Sequence, residues 1–131
     1  MDKITSLLLI LIIIFINSCS SDTKEKLGNG YFFRNEGKLI KDILCESPSG
    51  GEIPATVVAY VYDKKFIIAK QMPKIPQDPL YEKSYIYPNG NDQYYFWLIL
   101  KENNTVFGPL SIIELDSIKT EYNIPKTLIL K

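Results

Sequence analysis

The sequence contains no histidine. That absence excludes a Ser-His-Asp triad, a Cys-His nucleophile pair and any His-ligated zinc site. A surplus of either charge is missing too, because 15 basic and 15 acidic side chains cancel over 131 residues. A nucleic-acid binder needs a basic face to neutralise phosphates, and an acidic tail needs a run of carboxylates. Neither partner class fits, and nucleic acid is excluded as a partner. Cysteine is limited to Cys19 and Cys45. The length sets a prior of one folded domain.

What is present begins with grease. Leu7 to Ile16 is an unbroken run of ten apolar residues, and with Ile4-Thr5-Ser6 the segment reaches thirteen. A bilayer span takes roughly 20 residues to cross about 30 Å of hydrocarbon. Thirteen suits the hydrophobic region of a signal peptide. Ile16-Asn17-Ser18-Cys19 follows and resembles the bacterial lipobox: an aliphatic residue, a variable one, a small one and then cysteine. The resemblance implies cleavage before Cys19, diacylglycerol on its sulfur and palmitate-class acyl chains that hold the protein on a membrane. Each buried CH₂ contributes about 0.8 kcal/mol, so two or three chains anchor where one holds only marginally. The expected organisation is a signal peptide over 1–18, an acylated cysteine with a flexible polar tether over 19–27, and a single β-rich domain over 28–131. The expected location is the cell envelope, facing outside the cytoplasm, at the outer membrane or cell surface.

Within the domain, period-two alternation and turn residues mark the elements. Tyr31–Arg34 and Lys38–Cys45 read as strands around an Asn35-Glu36-Gly37 turn. Residues 46–54 form a loop by composition. Ala55–Tyr62 and Lys65–Gln71 read as a hairpin over Asp63-Lys64, with Val61 opposite Phe66, Ala59 opposite Ile68 and Tyr60 opposite Ile67. Pro73, Pro76 and Pro79 make 72–80 an extended connector. Lys83–Tyr87 reads as an edge strand, Tyr94–Lys101 as a central strand and Thr105–Phe107 as its partner, stopped by Gly108-Pro109. Ser111 with Glu114 forms a capping box, and Ile112, Leu115, Ile118 and Tyr122 lie at helical spacing. Thr127–Leu130 adds a last short strand. The expected fold class is α+β: an antiparallel sheet of about five to seven strands with one C-terminal helix packed on a face.

From Gly28 to Lys131 the chain resembles a family of small bacterial lipoproteins defined by a domain of unknown function. Gly30-Tyr31-Phe32, Tyr62-Asp63, Phe66–Gln71, Tyr95–Ile99, Phe107–Leu110 and Ile124-Pro125 carry the resemblance. It implies a secreted lipoprotein and brings no catalytic residue.

The residues themselves offer little chemistry. Asp63, Asp78, Asp92 and Asp116 are scattered, and nothing in their spacing makes an acid/base pair. Asn89-Gly90-Asn91-Asp92 lacks the alternating ligands of a calcium loop. No metal and no cofactor are expected. Once Cys19 is acylated, Cys45 has no disulfide partner in the chain and reads as a small hydrophobe in a strand. The remaining candidates are aromatic. Tyr94, Phe96, Leu98 and Leu100 share one strand face, and Tyr95, Trp97 and Ile99 the other. If that second face is open, Tyr95 and Trp97 form a platform for an envelope protein or glycan. The expected role is a non-enzymatic envelope binding or structural module. Alternatives are a small inhibitor or immunity factor presenting loop 46–54 or 72–80, and a histidine-free hydrolase.

Overall fold

The computed structural model describes residues 23–131. The expected signal peptide and lipobox, with Cys19, lie outside the described residues. Seven strands and a helix follow in order: β1 (Thr23–Gly28), β2 (Tyr31–Asn35), β3 (Lys41–Cys45), β4 (Val57–Tyr62), β5 (Phe66–Gln71), β6 (Tyr95–Leu100), β7 (Thr105–Leu110) and α1 (Ile112–Glu121). All strand pairs are antiparallel. The class is α+β, with the C-terminal helix on a sheet face.

The strands form two sheets rather than one, in the orders β1-β2-β3 and β4-β5-β6-β7. The reason lies in β6 and its neighbour β5, which are apolar on both faces. Ile67, Ala69, Trp97 and Ile99 on one face pack against Leu27, Tyr31, Ile43 and Ile53, most of them from the three-stranded sheet. Ile68, Leu98, Leu100 and Leu110 on the other pack against Leu115 of α1 and against Ile124 and Leu128 of the tail. A sheet greasy on both sides needs two covers, and the chain supplies a second sheet and a helix.

Strand membership differs from expectation at three places. Thr23–Leu27, read as tether, belongs to β1, which pairs from Thr23↔Asn35 to Gly28↔Tyr31. Only Leu27 of this strand is buried, so no apolar alternation advertises it. Lys83–Tyr87 and Thr127–Leu130 form no strand. Tyr85 and Tyr87 instead turn their rings inward, edge-on to Trp97 at 5.2 Å and against Tyr95 at 5.1 Å.

The β4–β5 hairpin keeps its expected faces but shifts register by two. Val61 pairs with Ile68 and Tyr62 with Ile67. The two-residue loop is Lys64-Lys65, closed by Asp63 N–H donating to the Phe66 carbonyl at 3.0 Å. Asp63 decides this, because its Oδ1 accepts the Lys65 and Phe66 N–H groups, each at 2.8 Å. An aspartate ahead of a turn satisfies backbone donors in this way.

β7 runs on through Gly108-Pro109, where a stop was expected, with a register shift opposite Phe96–Leu98. Gly108 makes this run-on sterically feasible. Its φ is +154°, and a Cβ there would lie 2.3 Å from Cε3 of the fully buried Trp97. Neither ring nor backbone can retreat in a close-packed interior. Gly108→Ala is expected to cost about 2–4 kcal/mol through overpacking and backbone strain. A loss of less than about 0.5 kcal/mol in urea denaturation would contradict this packing.

The capping box of α1 is present, with Glu114 N–H donating to Ser111 Oγ at 3.1 Å and Ser111 N–H to Glu114 Oε1 at 3.3 Å. The expected apolar stripe is only partly used. Leu115 is buried and Ile118 half-buried, whereas Ile112 and Tyr122 are exposed. Ile124 and Leu128 close over the rest of the sheet, so the ten-residue helix touches it along a narrow line.

Candidate functional site

The aromatic face expected as a platform is inside the protein. Tyr95 is 2% exposed and Trp97 is 0%. Trp97 Nε1 donates to Gln71 Oε1 at 2.7 Å, and Gln71 Nε2 donates to the Pro54 carbonyl at 3.0 Å. Tyr95 Oη donates to the Gly90 carbonyl at 2.8 Å and accepts the Asn89 N–H at 2.9 Å. These residues are core and loop anchor, not partner contacts. Leu27, Tyr31 and Ile43 of the three-stranded sheet share a core with Trp97, while Tyr87 and the 89–90 turn meet Tyr95; the sheet's first strand was hidden in the polar stretch read as a tether.

A polar cleft lies elsewhere. A volume of about 480 Å³ opens between loop 46–54, residues 82–85 and the β7 edge. Ser49, Glu52, Glu82, Lys83, Ser84 and Asn104 are among its lining residues. Its base depends on two glycines. A Cβ at Gly51 would lie 2.2 Å from Val106 Cγ2, and one at Gly50 2.2 Å from Cys45 Sγ. Lacking side chains, they let the loop lie flat on β3 and β7. Cys45 is half-buried beneath them, with Sγ 3.8 Å from the Asn29 carbonyl. Tyr31 pins the loop, since its hydroxyl accepts the Gly51 N–H and donates to Asn104 Oδ1, both at 3.0 Å.

Glu52 holds the cleft's other wall. Its Oε2 accepts the Tyr85 hydroxyl at 2.8 Å and its Oε1 the Glu82 N–H at 3.1 Å. Burial, and then the hydrogen bond to Glu52, hold the Tyr85 phenol well above its ordinary range. Tyr85 is therefore a proton donor here, not an activated nucleophile. The cleft offers hydroxyl, amide, carboxylate and ammonium groups to a polar ligand. Among the described residues no three His, Cys, Asp or Glu side chains gather to hold a metal ion. The structure gives the scattered aspartates no common site: Asp63 serves its turn, and Asp78 Oδ1 accepts the Leu80 N–H at 3.0 Å.

Three polar braces went unforeseen. Asp42 is fully buried. Arg34, the chain's single arginine, grips it through Nε at 2.9 Å and Nη2 at 2.6 Å. Tyr81 Oη donates to the same carboxylate at 2.6 Å and accepts the Ala55 N–H at 2.9 Å. The side-chain hydrogen bond to Asp42 raises the Arg34 pKa further. This brace ties the proline-rich connector to the three-stranded sheet. At the opposite end the buried Lys101 ammonium donates to the carbonyls of Leu27 and Asp63, joining three turns. On the outer side, the hydroxyls of Tyr60 and Tyr62 both donate to Glu25, tying β1 to β4.

These hydroxyls set a pH limit. Burial is the largest cause raising the pKa values of Tyr31, Tyr81, Tyr85 and Tyr87 above the ordinary 10.0. An unfolded chain ionises its phenols near 10, whereas the native one keeps these protons longer. Their stabilisation is complete below pH 10 and lost as pH rises through the folded values. Lys101, lowered by burial, acts oppositely up to 10.5, one group against these four and against Tyr60 and Tyr62, which are raised as well. Above pH 10, tyrosinate absorbance from these buried phenols should appear in one cooperative step with loss of near-ultraviolet circular dichroism. Smooth titration of all tyrosines near pH 10, with the fold intact, would refute the buried network.

Residues 29–131 match a family described as "Protein of unknown function (DUF3997)", and the chain belongs to that family. No curated protein and no solved structure matches the chain.

Proposed function

We propose, starting from membership of a family without a defined activity, that this protein is a membrane-anchored lipoprotein of the bacterial cell envelope. Its folded domain is a binding module without catalytic machinery, and the polar cleft is its ligand surface. The observation that carries the reading is Cys19, which ends a lipobox-type tetrapeptide behind a thirteen-residue greasy segment. Acyl chains on Cys19 place the protein at the outer membrane or cell surface, where an envelope protein or glycan can meet the cleft. A non-enzymatic role is supported by how the cleft uses its groups. Both oxygens of Glu52 are engaged by Tyr85 and the Glu82 N–H, and Tyr85 holds its proton. Growth with radiolabelled palmitate tests the anchor, with label in the expressed chain as the expected result. An unlabelled chain in the soluble fraction would overturn the reading.

A further inference from the structure

Antiparallel pairing gives the domain two ends. Thr23 lies across from Asn35, and Asn35 from Lys41, so the start of β1 and loop 36–40 share one end. Gly28, Tyr31 and Cys45 share the other. The proline-rich connector leaves from the first end as well. Thr56 Oγ1 donates to the Leu39 carbonyl at 2.5 Å, Thr56 and Met72 exchange backbone hydrogen bonds at 2.9 Å, and Lys74 N–H donates to the Ala55 carbonyl at 3.1 Å. Loop 36–40 and residues 72–75 are thus tied side by side through Ala55-Thr56.

These tips are composed unusually for solvent. Leu39 is 62% exposed and Ile75 54% exposed. Lys38, Lys41 and Lys74 stand beside them in sequence. Two acidic groups of this end share Arg34, Glu36 at 3.5 Å and Asp42 at 2.6 Å, so one negative charge of this trio remains against the three lysines. Asp78, further along the connector, accepts its own loop's Leu80 N–H. Aliphatic side chains flanked by lysines suit the boundary between anionic headgroups and acyl chains.

We propose that this end is a bilayer-contacting surface, with Leu39 and Ile75 entering the headgroup region and Lys38, Lys41 and Lys74 facing lipid phosphates. The inference rests on the anchored-lipoprotein reading, because the Cys19 lipid decides which end meets the membrane. Four residues of extended chain reach at most about 14 Å, so β1 must start within that distance of the acylated sulfur. Lipid contact at Leu39 and Ile75 would then fix the domain's tilt, with the Lys101 end and the Asn104 edge of the cleft turned outward.

The test uses full-length chain purified from membranes and reconstituted in vesicles of phosphatidylcholine and phosphatidylglycerol with brominated acyl chains. Leu39→Trp supplies the probe, and wild type supplies the background, since Trp97 is fully buried. The expected result is a blue-shifted second emission component, quenched at least twofold by brominated lipid, with quenching weakened in phosphatidylcholine alone. Ile75→Trp should behave alike. Water-like, unquenched emission from an acylated, vesicle-bound chain would overturn this inference and leave the anchor standing. Shielding in native membranes but not in vesicles would point to a protein partner and overturn it equally. Absence of the acyl group from the wild-type chain would overturn both.

Discussion

Cys19→Ala is expected to abolish acyl labelling and to leave the chain as a precursor still carrying residues 1–18. In the proposed lipoprotein the sulfur carries diacylglycerol, and alanine offers no such atom. Cleavage before Cys19 removes 18 of 131 residues, leaving 113. Wild type should therefore run as the shorter, labelled form and the variant as the longer, unlabelled one. A single acyl chain partitions with a constant of only about 10⁴ M⁻¹, so stable attachment depends on the two or three chains that the lipobox directs. The folded domain should be unaffected, because position 19 precedes β1. Cys45→Ser is the matched control and should keep full label, since Cys45 lies under Gly50 within the sheet. Labelling that follows Cys45 instead would reverse the assignment.

Asp42→Ala is expected to destabilise the domain by about 3–5 kcal/mol, a large fraction of a typical 5–15 kcal/mol total. The carboxylate is fully buried and receives three hydrogen bonds, two from Arg34 and one from Tyr81. Its removal leaves a guanidinium, only 19% exposed, with the more exposed Glu36 at 3.5 Å as its remaining counter-charge, and a buried hydroxyl without its acceptor. Because Tyr81 carries the connector, residues 72–82 should lose hydrogen-exchange protection first. Adding Arg34→Met should recover much of the loss, because the cost lies in the unpaired charge rather than in the missing attraction. Chemical denaturation checks both values. A loss below about 1 kcal/mol would show that the brace contributes no more than a surface ion pair.

The sequence was most legible where local rules act alone. The capping box at Ser111 and Glu114, the two faces of β6 and the loop at 46–54 depend on a few neighbouring residues. It was least legible where tertiary partners decide. β1 is an edge strand with one buried residue, so its sequence looks like a tether. Tyr85-Ile86-Tyr87 is a β-prone aromatic and β-branched run, yet the core takes the two rings from a loop. Expectations for the site failed for the same reason. Trp97 could not be placed until β1–β3 were known to cover it, nor Tyr95 until the ring of Tyr87 was known to turn onto it. The cleft joins residues from 49 to 104, which no local spacing reveals. One signal was available: the single arginine lies across a short hairpin from an aspartate in an apolar strand, and that pairing points to a buried brace.

The central claim is that Cys19 becomes the lipid-bearing first residue of the mature protein. Mass spectrometry of the amino-terminal peptide, from chain extracted out of native membranes, tests it most directly. The account predicts a peptide beginning at Cys19 and heavier by a diacylglyceryl group on sulfur. A peptide beginning at another residue, or Cys19 carrying a free thiol, would contradict it.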